Sequence, residues 1–107
     1  MPGSPKGPGL FLIIRFNWPL DFKPEYGDAA KSLHVAVEQA DWITEVLAAS
    51  GGLGGEQSSY WIFKIHDYAA LDRLRGEGDD AVASAYHLFF SSMLDIDEVI
   101  RKEVVFV

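Results

Sequence analysis

Apolar and polar positions alternate across residues 10–17, placing Leu10, Leu12, Ile14 and Phe16 on one side of a predicted strand and Phe11, Ile13, Arg15 and Asn17 on the other. The first side is wholly apolar, and the second turns polar only in its latter half. Residues 58–66 repeat the arrangement, with Ser59, Trp61, Phe63 and Ile65 opposed to Tyr60, Ile62, Lys64 and His66. Between these strands the period changes. Ala29, Leu33, Ala36, Val37, Ala40, Ile43 and Leu47 recur at helical spacing, while Lys31, His34, Glu38, Asp41 and Glu45 fall mainly opposite them. This pattern predicts an amphipathic helix over 28–50 with Asp28 as its N-cap.

Four glycines in five residues, Gly51-Gly52-Leu53-Gly54-Gly55, end the helical pattern and turn the chain toward a short strand within 53–57. After the strand at 58–66, Asp67 is the predicted N-cap of a helix carrying Ala70, Leu71 and Leu74. That helix is interrupted at Gly76-Glu77-Gly78 and resumes after Asp79 or Asp80, with Val82, Ala85, Tyr86, Phe89 and Met93 on one stripe. Asp95 and Glu98 have the spacing of a capping box for a short helical turn, and residues 104–107 close the chain as a strand. The order is βαββαβ. Residues 1–9, rich in Pro and Gly, are expected to form a disordered tail, which leaves 10–107 as one α+β domain.

The two-faced strands set a packing problem. Helices lie on one face of such a sheet, so the second apolar face must meet a partner subunit, a ligand or both. A chain of 107 residues builds a single core and buries roughly 65% of its unfolded surface. At 49% hydrophobic and 13% aromatic residues, the composition exceeds the needs of a small monomer, which points to a homodimer. A formal charge of −7 repels phosphate backbones and anionic lipid surfaces, arguing against nucleic acid and membrane partners. No apolar run approaches the roughly 20 residues needed to span a bilayer, residues 1–9 lack the apolar middle of a secretory signal, and cysteine is absent. A cytoplasmic location is therefore expected.

With this element order, this length and the strands LFLIIRF and SYWIFKI, residues 10–107 resemble the ferredoxin-like dimeric α+β barrel superfamily. That superfamily includes muconolactone isomerase-like, antibiotic-monooxygenase-like and polyketide-cyclase-like proteins. The resemblance implies an antiparallel sheet with helices on one face and two sheets packed face to face in the dimer. It also implies a small, largely apolar pocket between sheet and helices. It carries over no catalytic residue, because a fold does not fix a function.

Candidate chemistry lies in the polar residues that interrupt the apolar faces. If Leu12, Ile14, Trp61 and Phe63 face the helices, then Arg15, Tyr60, Lys64 and His66 share the opposite side. Cations among aromatics suit a hydrophobic anionic small molecule, with Arg15, Tyr60, Lys64, Tyr86 and Trp18 as ligand-binding residues. His66 or His87 would then supply catalytic acid–base groups near neutral pH. Each also has a plainer reading. Arg15 and Lys64 suit ion pairs at a dimer interface, His66 an exposed strand end, Tyr86 the core, and Trp18 a dimer seam.

No cofactor or metal is expected. His34, Glu38, Asp41 and Glu45 lie opposite the predicted core stripe, which makes them a solvated face. The glycine-rich loop follows a helix and lacks the Gly-Lys-Ser/Thr of a phosphate cradle. Two functions remain open: a cofactor-independent isomerase, cyclase or monooxygenase-like enzyme, or a noncatalytic dimeric module that binds a ligand or serves as a structural accessory.

Overall fold

The computed structural model describes residues 9–76 and 80–106. β1 (Leu10–Asn17) lies inside a four-stranded antiparallel sheet, hydrogen-bonded on one side to β3 (Ser59–Ile65) and on the other to β4 (Leu94–Lys102). β2 (Ile43–Ser50) pairs with the far side of β3, giving the order β2-β3-β1-β4. Among the described residues three helices, α1 (Pro24–Glu38), α2 (Tyr68–Arg75) and α3 (Ala81–Phe90), complete the order βαββααβ. This is the ferredoxin-like arrangement that the element pattern predicts, with the second crossover split into two helices.

The alternation of β1 and β3 decides which face the helices cover. Leu10, Leu12, Ile14 and Phe16 are buried with Trp61, Phe63 and Ile65, and against them pack Leu33 and Val37 of α1, Leu71 and Leu74 of α2, and Val82, Tyr86, Phe89 and Phe90 of α3. The centre of this core is aromatic. Phe16 meets Phe89 and Phe90 edge-on at ring-centroid distances of 5.6 and 5.5 Å, an arrangement favoured by the ring quadrupoles.

Four predicted elements are corrected. The helix expected over 28–50 is a shorter helix beginning at Pro24, a turn, and then β2. Its N-cap is Lys23 and not Asp28, with Pro24 supplying the preset φ of a first helical turn. Ile43, Val46 and Leu47 fit a helical stripe by spacing, but pairing with β3 and the β-branched Ile43, Thr44 and Val46 favour the strand. Ile43 joins the core, whereas Leu47 is 54% exposed on the other face.

The strand expected within 53–57 is instead the loop of the β2–β3 hairpin, closed by Gly51 N–H donating to the Ser58 carbonyl at 2.8 Å. Gly51, Gly52, Gly54 and Gly55 all hold positive φ there, which accounts for the glycine run. The capping box expected at Asp95 and Glu98 and the strand expected at 104–107 are also overturned, because β4 occupies 94–102 and the described residues 104–106 lie outside any strand. Asp95 sits at a bulge with φ 54°, where its carboxylate accepts from Asn17 Nδ2 at 3.0 Å.

Residues 1–8 of the expected tail, Val107, residues 77 and 78 of the expected helix interruption, and Asp79, the other residue expected to open the next segment, lie outside the described residues. Gly9, assigned to the tail, is held in place: its N–H donates to Glu103 Oε1 at 3.0 Å and its carbonyl accepts from Glu103 N–H at 2.9 Å. A Cβ at this position would meet the Ile65 carbonyl oxygen at 2.8 Å, so only glycine fits without a backbone shift.

Asp67 caps α2 through the Ala70 N–H, as expected, and Asp80, one of the two residues expected to open the next segment, caps α3 through the Val82 and Ala83 N–H groups. Arg73 Nε also donates to Asp80 Oδ2 at 2.6 Å, tying the end of one helix to the start of the next. Burial pushes the Asp80 carboxyl up, but the hydrogen bonds from Arg73, Ala83 and Val82 outweigh it and hold the group below its ordinary value of 3.8. A depressed carboxyl contributes stability above its unfolded pKa and loses that contribution as pH falls through the folded value. Asp80→Ala should therefore lower stability by about 1–2 kcal/mol in urea unfolding. Asp80→Asn should recover most of the cap while losing the acid-range dependence; an unchanged acid limb in Asp80→Asn would assign that dependence to other groups.

Candidate functional site

The residues singled out from the sequence separate into four places. Arg15, Tyr60 and Lys64 lie on the sheet face away from the helices, as their alternation requires. Strand register arranges that face in three rows. Glu45, Lys64, Phe11 and Arg101 form one; Leu47, Ile62, Ile13 and Val99 form the wholly apolar central row; Ala49, Tyr60, Arg15 and Asp97 form the third.

Two of the cations on this face, Arg15 and Lys64, are engaged in ion pairs. Arg15 forms an ion pair with Asp97, its neighbour on β4, and Lys64 Nζ lies 2.9 Å from Glu103 Oε2 and 5.9 Å from the centre of the Phe11 ring. The hydrogen bond from Lys64 holds the Glu103 carboxyl below its usual value, and the same bond raises Lys64.

His66 follows the end of β3, exposed beside the Asp67 cap, where it lines a depression of about 300 Å³ with Leu10, Asp67, Tyr68 and Lys102. Neither His87 nor Arg15 lines this depression.

Trp18 does line an interlayer pocket. It stands with Phe16, Trp61 and Ala30 around a cavity of about 210 Å³ between the sheet and α1, completed by Ala48, Ala49, Ser50 and Ser59. Ser59 is 1% exposed, and its hydroxyl lies 2.7 Å from Ser50 Oγ and 3.2 Å from Ser58 Oγ. Three hydroxyls joined by two hydrogen bonds retain one donor and several acceptor lone pairs among themselves. The pocket thus combines tryptophan and alanine walls with a small hydroxyl floor and has no charged lining residue.

Tyr86 and His87 line a second cavity, of about 380 Å³, between α3 and the helix-facing side of β4, together with Arg75, Phe90, Ser91, Ile96 and Glu98. Tyr86 is buried and donates to Glu98 Oε2 at 2.7 Å, while Arg75 Nε stands 3.7 Å from the same oxygen. Burial and the Glu98 carboxylate both push the Tyr86 phenol far above its ordinary value, so it remains a hydrogen-bond donor. His87 Nε2 lies 3.1 and 3.0 Å from the carbonyl oxygens of Arg75 and Gly76, which requires that nitrogen to carry its proton. The ring ties α3 to the end of α2 and is thereby oriented by backbone.

Sequence reading missed Ser50, Arg75 and Glu98. Ser59 left a signal, as the one hydroxyl on the otherwise apolar side of β3; Glu98 was hidden by the capping-box spacing that placed it in a helical turn.

No protein-family model and no curated protein matches the sequence. Solved structures share the fold. The hydroxynitrile lyase of Passiflora edulis superposes with a TM-score of 0.72 at 11% identity, covering 96% of this chain and 99% of its own. A DABB-family protein with a ferredoxin-like fold from Mesorhizobium loti gives 0.69 at 11% identity over 92% and 99% of the two chains. A dimeric ferredoxin-like protein of unknown function from Thermobifida fusca gives 0.67 at 13% identity over 96% of each. At these identities the likeness concerns the fold. Among the described residues, no helix is long and apolar enough to cross a membrane.

The Tyr86 environment carries its own test. Below the ordinary phenol pKa of 10.0, the folded and unfolded states both hold the proton and stability is indifferent to it. Above that value the unfolded phenol ionises while the folded one does not, so this group makes stability fall as pH rises. Tyr86→Phe should cost about 1 kcal/mol at neutral pH through the lost hydrogen bond. It should also flatten the alkaline slope of stability, and the native phenolate absorbance titration of wild type and variant should coincide.

Proposed function

We propose that the protein is a homodimeric small-molecule-binding module whose ligand occupies the pocket beneath Trp18 and Trp61. The observation that carries this reading is the buried Ser59 hydroxyl, paired with Ser50 at the floor of an aromatic and alanine-lined cavity. Pockets of this kind gain affinity from apolar contact and orientation from a few placed polar groups. A cavity of about 210 Å³ without a charged wall suits a compact, neutral, largely apolar molecule bearing one hydroxyl or carbonyl. The anionic ligand expected from Arg15 and Lys64 is not favoured, because both cations lie on the opposite side of the sheet in ion pairs.

The dimer supplies the cover for that opposite side. Leu47, Ile62, Ile13 and Val99 form an apolar band between two rows that carry the charges, the anatomy of an interface core with a polar rim. Arg15 and Lys64 reach this rim already paired within their own protomer, so their role in this reading is structural.

The noncatalytic form of the function is favoured over an isomerase, cyclase or monooxygenase. His66 is exposed at a strand end and the Nε2 of His87 is taken by backbone carbonyls, while the Trp18 pocket contains neither. The cysteine-free composition fits a cytoplasmic setting for this module.

Sedimentation equilibrium should find a dimer, and Ile13→Glu, which places a charge in the apolar row, should weaken association about 100-fold. Tryptophan fluorescence should report saturable binding of p-cresol, a compact neutral phenol, and Ala30→Leu should weaken it about tenfold by filling the pocket. A monomeric wild type would remove the interface, and p-cresol binding indifferent to Ala30→Leu would place the ligand elsewhere.

A further inference from the structure

The cavity between α3 and β4 has a different chemistry from the Trp18 pocket, and its polar groups have a clear hierarchy. Glu98 is the only carboxylate in its wall; one oxygen, Oε2, receives both the Tyr86 hydroxyl and the approach of Arg75. Among the described residues, Oε1 has no hydrogen-bond donor. The Arg75 contact at 3.7 Å is longer than a hydrogen bond, and the Arg75 side chain is 46% exposed at the last residue of α2. A guanidinium held this loosely behaves as a displaceable counter-ion. Around the carboxylate stand Phe90 and Ile96, with the rings of Tyr86 and Phe90 4.9 Å apart. A carboxylate beside aromatic rings attracts an ammonium group by charge and by the ring quadrupoles together, and the overall charge of −7 steers cations toward the protein.

We infer that the α3–β4 cavity is a second ligand site, selective for a primary ammonium on a compact apolar body. The ammonium donates to the free Oε1 of Glu98 and displaces the loosely held Arg75 guanidinium as counter-ion of the carboxylate, while Tyr86 keeps Oε2 and holds the carboxylate in position. The apolar body lies against Phe90 and Ile96. This site is separate from the Trp18 pocket, since the two share no lining residue.

The opposite effects of two substitutions test the assignment. Calorimetric titration of the full chain with benzylamine should show one saturable site. Glu98→Gln, which keeps an acceptor for Tyr86, should weaken it about tenfold, and Arg75→Gln should strengthen it a few-fold by removing the competing cation. Benzoate, of similar size and opposite charge, should not compete. Amide NMR shifts on adding benzylamine should centre on Phe90, Ile96 and Glu98 in the wild type. The proposal is overturned if benzylamine shows no saturable binding, if Glu98→Gln binds it as well as wild type, or if Arg75→Gln abolishes binding. Benzoate binding that depends on Arg75 would overturn it in favour of an anion site. Thermal unfolding of both variants separates lost binding from lost fold, and the weakening of p-cresol binding by Ala30→Leu reports on the Trp18 pocket independently.

Discussion

The register of β1 is the constraint on which the rest of the structure depends. This strand is paired on both edges, with Ile14 opposite Trp61 on one side and Glu98 on the other, and its helix-facing residues Leu12, Ile14 and Phe16 are fully buried. A slip of one residue would turn Arg15 and Asn17 toward the helices and expose those apolar side chains. The cost would exceed any single hydrogen bond in the molecule, because burying each large apolar side chain is worth about 1.5–3 kcal/mol. With the register fixed, each site follows. Phe16 and the succeeding Trp18 wall the interlayer pocket, Ile13 falls in the apolar band of the open face, and Glu98 is carried to the helix side beneath Tyr86.

This dependence explains what was legible in the sequence. The strong alternation of β1 and β3 made their faces readable, including the placement of Arg15, Tyr60 and Lys64 away from the helices. The caps Asp67 and Asp80 were readable because a carboxylate before a helix satisfies amides that lack intrahelical partners. β2 was not readable: Ile43 and Leu47 are four residues apart, a spacing compatible with a helical stripe, and only pairing with β3 distinguishes them. Their eventual separation, Ile43 to the core and Leu47 to the open face, follows from a register irregularity between Ile43 and Glu45. β4 was masked in a similar way, since Asp95 and Glu98 have the spacing of a cap while serving as a bulge residue and a cross-layer hydrogen-bond acceptor.

The candidate sites were only partly legible for the same reason. Sequence could assign residues to faces of central strands, but cavities form where elements distant in the chain converge. Tyr86 and Glu98 meet because α3 crosses over the edge strand, and Ser50 meets Ser59 because an eight-residue loop, 51–58, returns the chain in register. Neither meeting has a local signature. His66 and His87 carry recognisable chemistry in the sequence itself, whereas Ser59 and Glu98 gain theirs only from the contacts with Ser50 and Tyr86 that the fold creates.

The ion pairs separate structural charge from charge available to a ligand. Lys64 and Glu103 meet at 2.9 Å, and Glu103 uses its other oxygen to hold Gly9, so the pair fastens both ends of the described chain to the sheet. Arg15 and Asp97 face each other directly across β1 and β4. Charges matched within one protomer can approach an interface with part of their desolvation already offset, which fits their place beside the apolar band. Glu98 differs in both respects. Its carboxylate lies on the helix side of the sheet, lines a cavity, and holds its guanidinium at 3.7 Å with one oxygen committed to Tyr86. The mismatch between a well-anchored carboxylate and a loosely held cation distinguishes a site prepared for exchange from a pair that serves the fold.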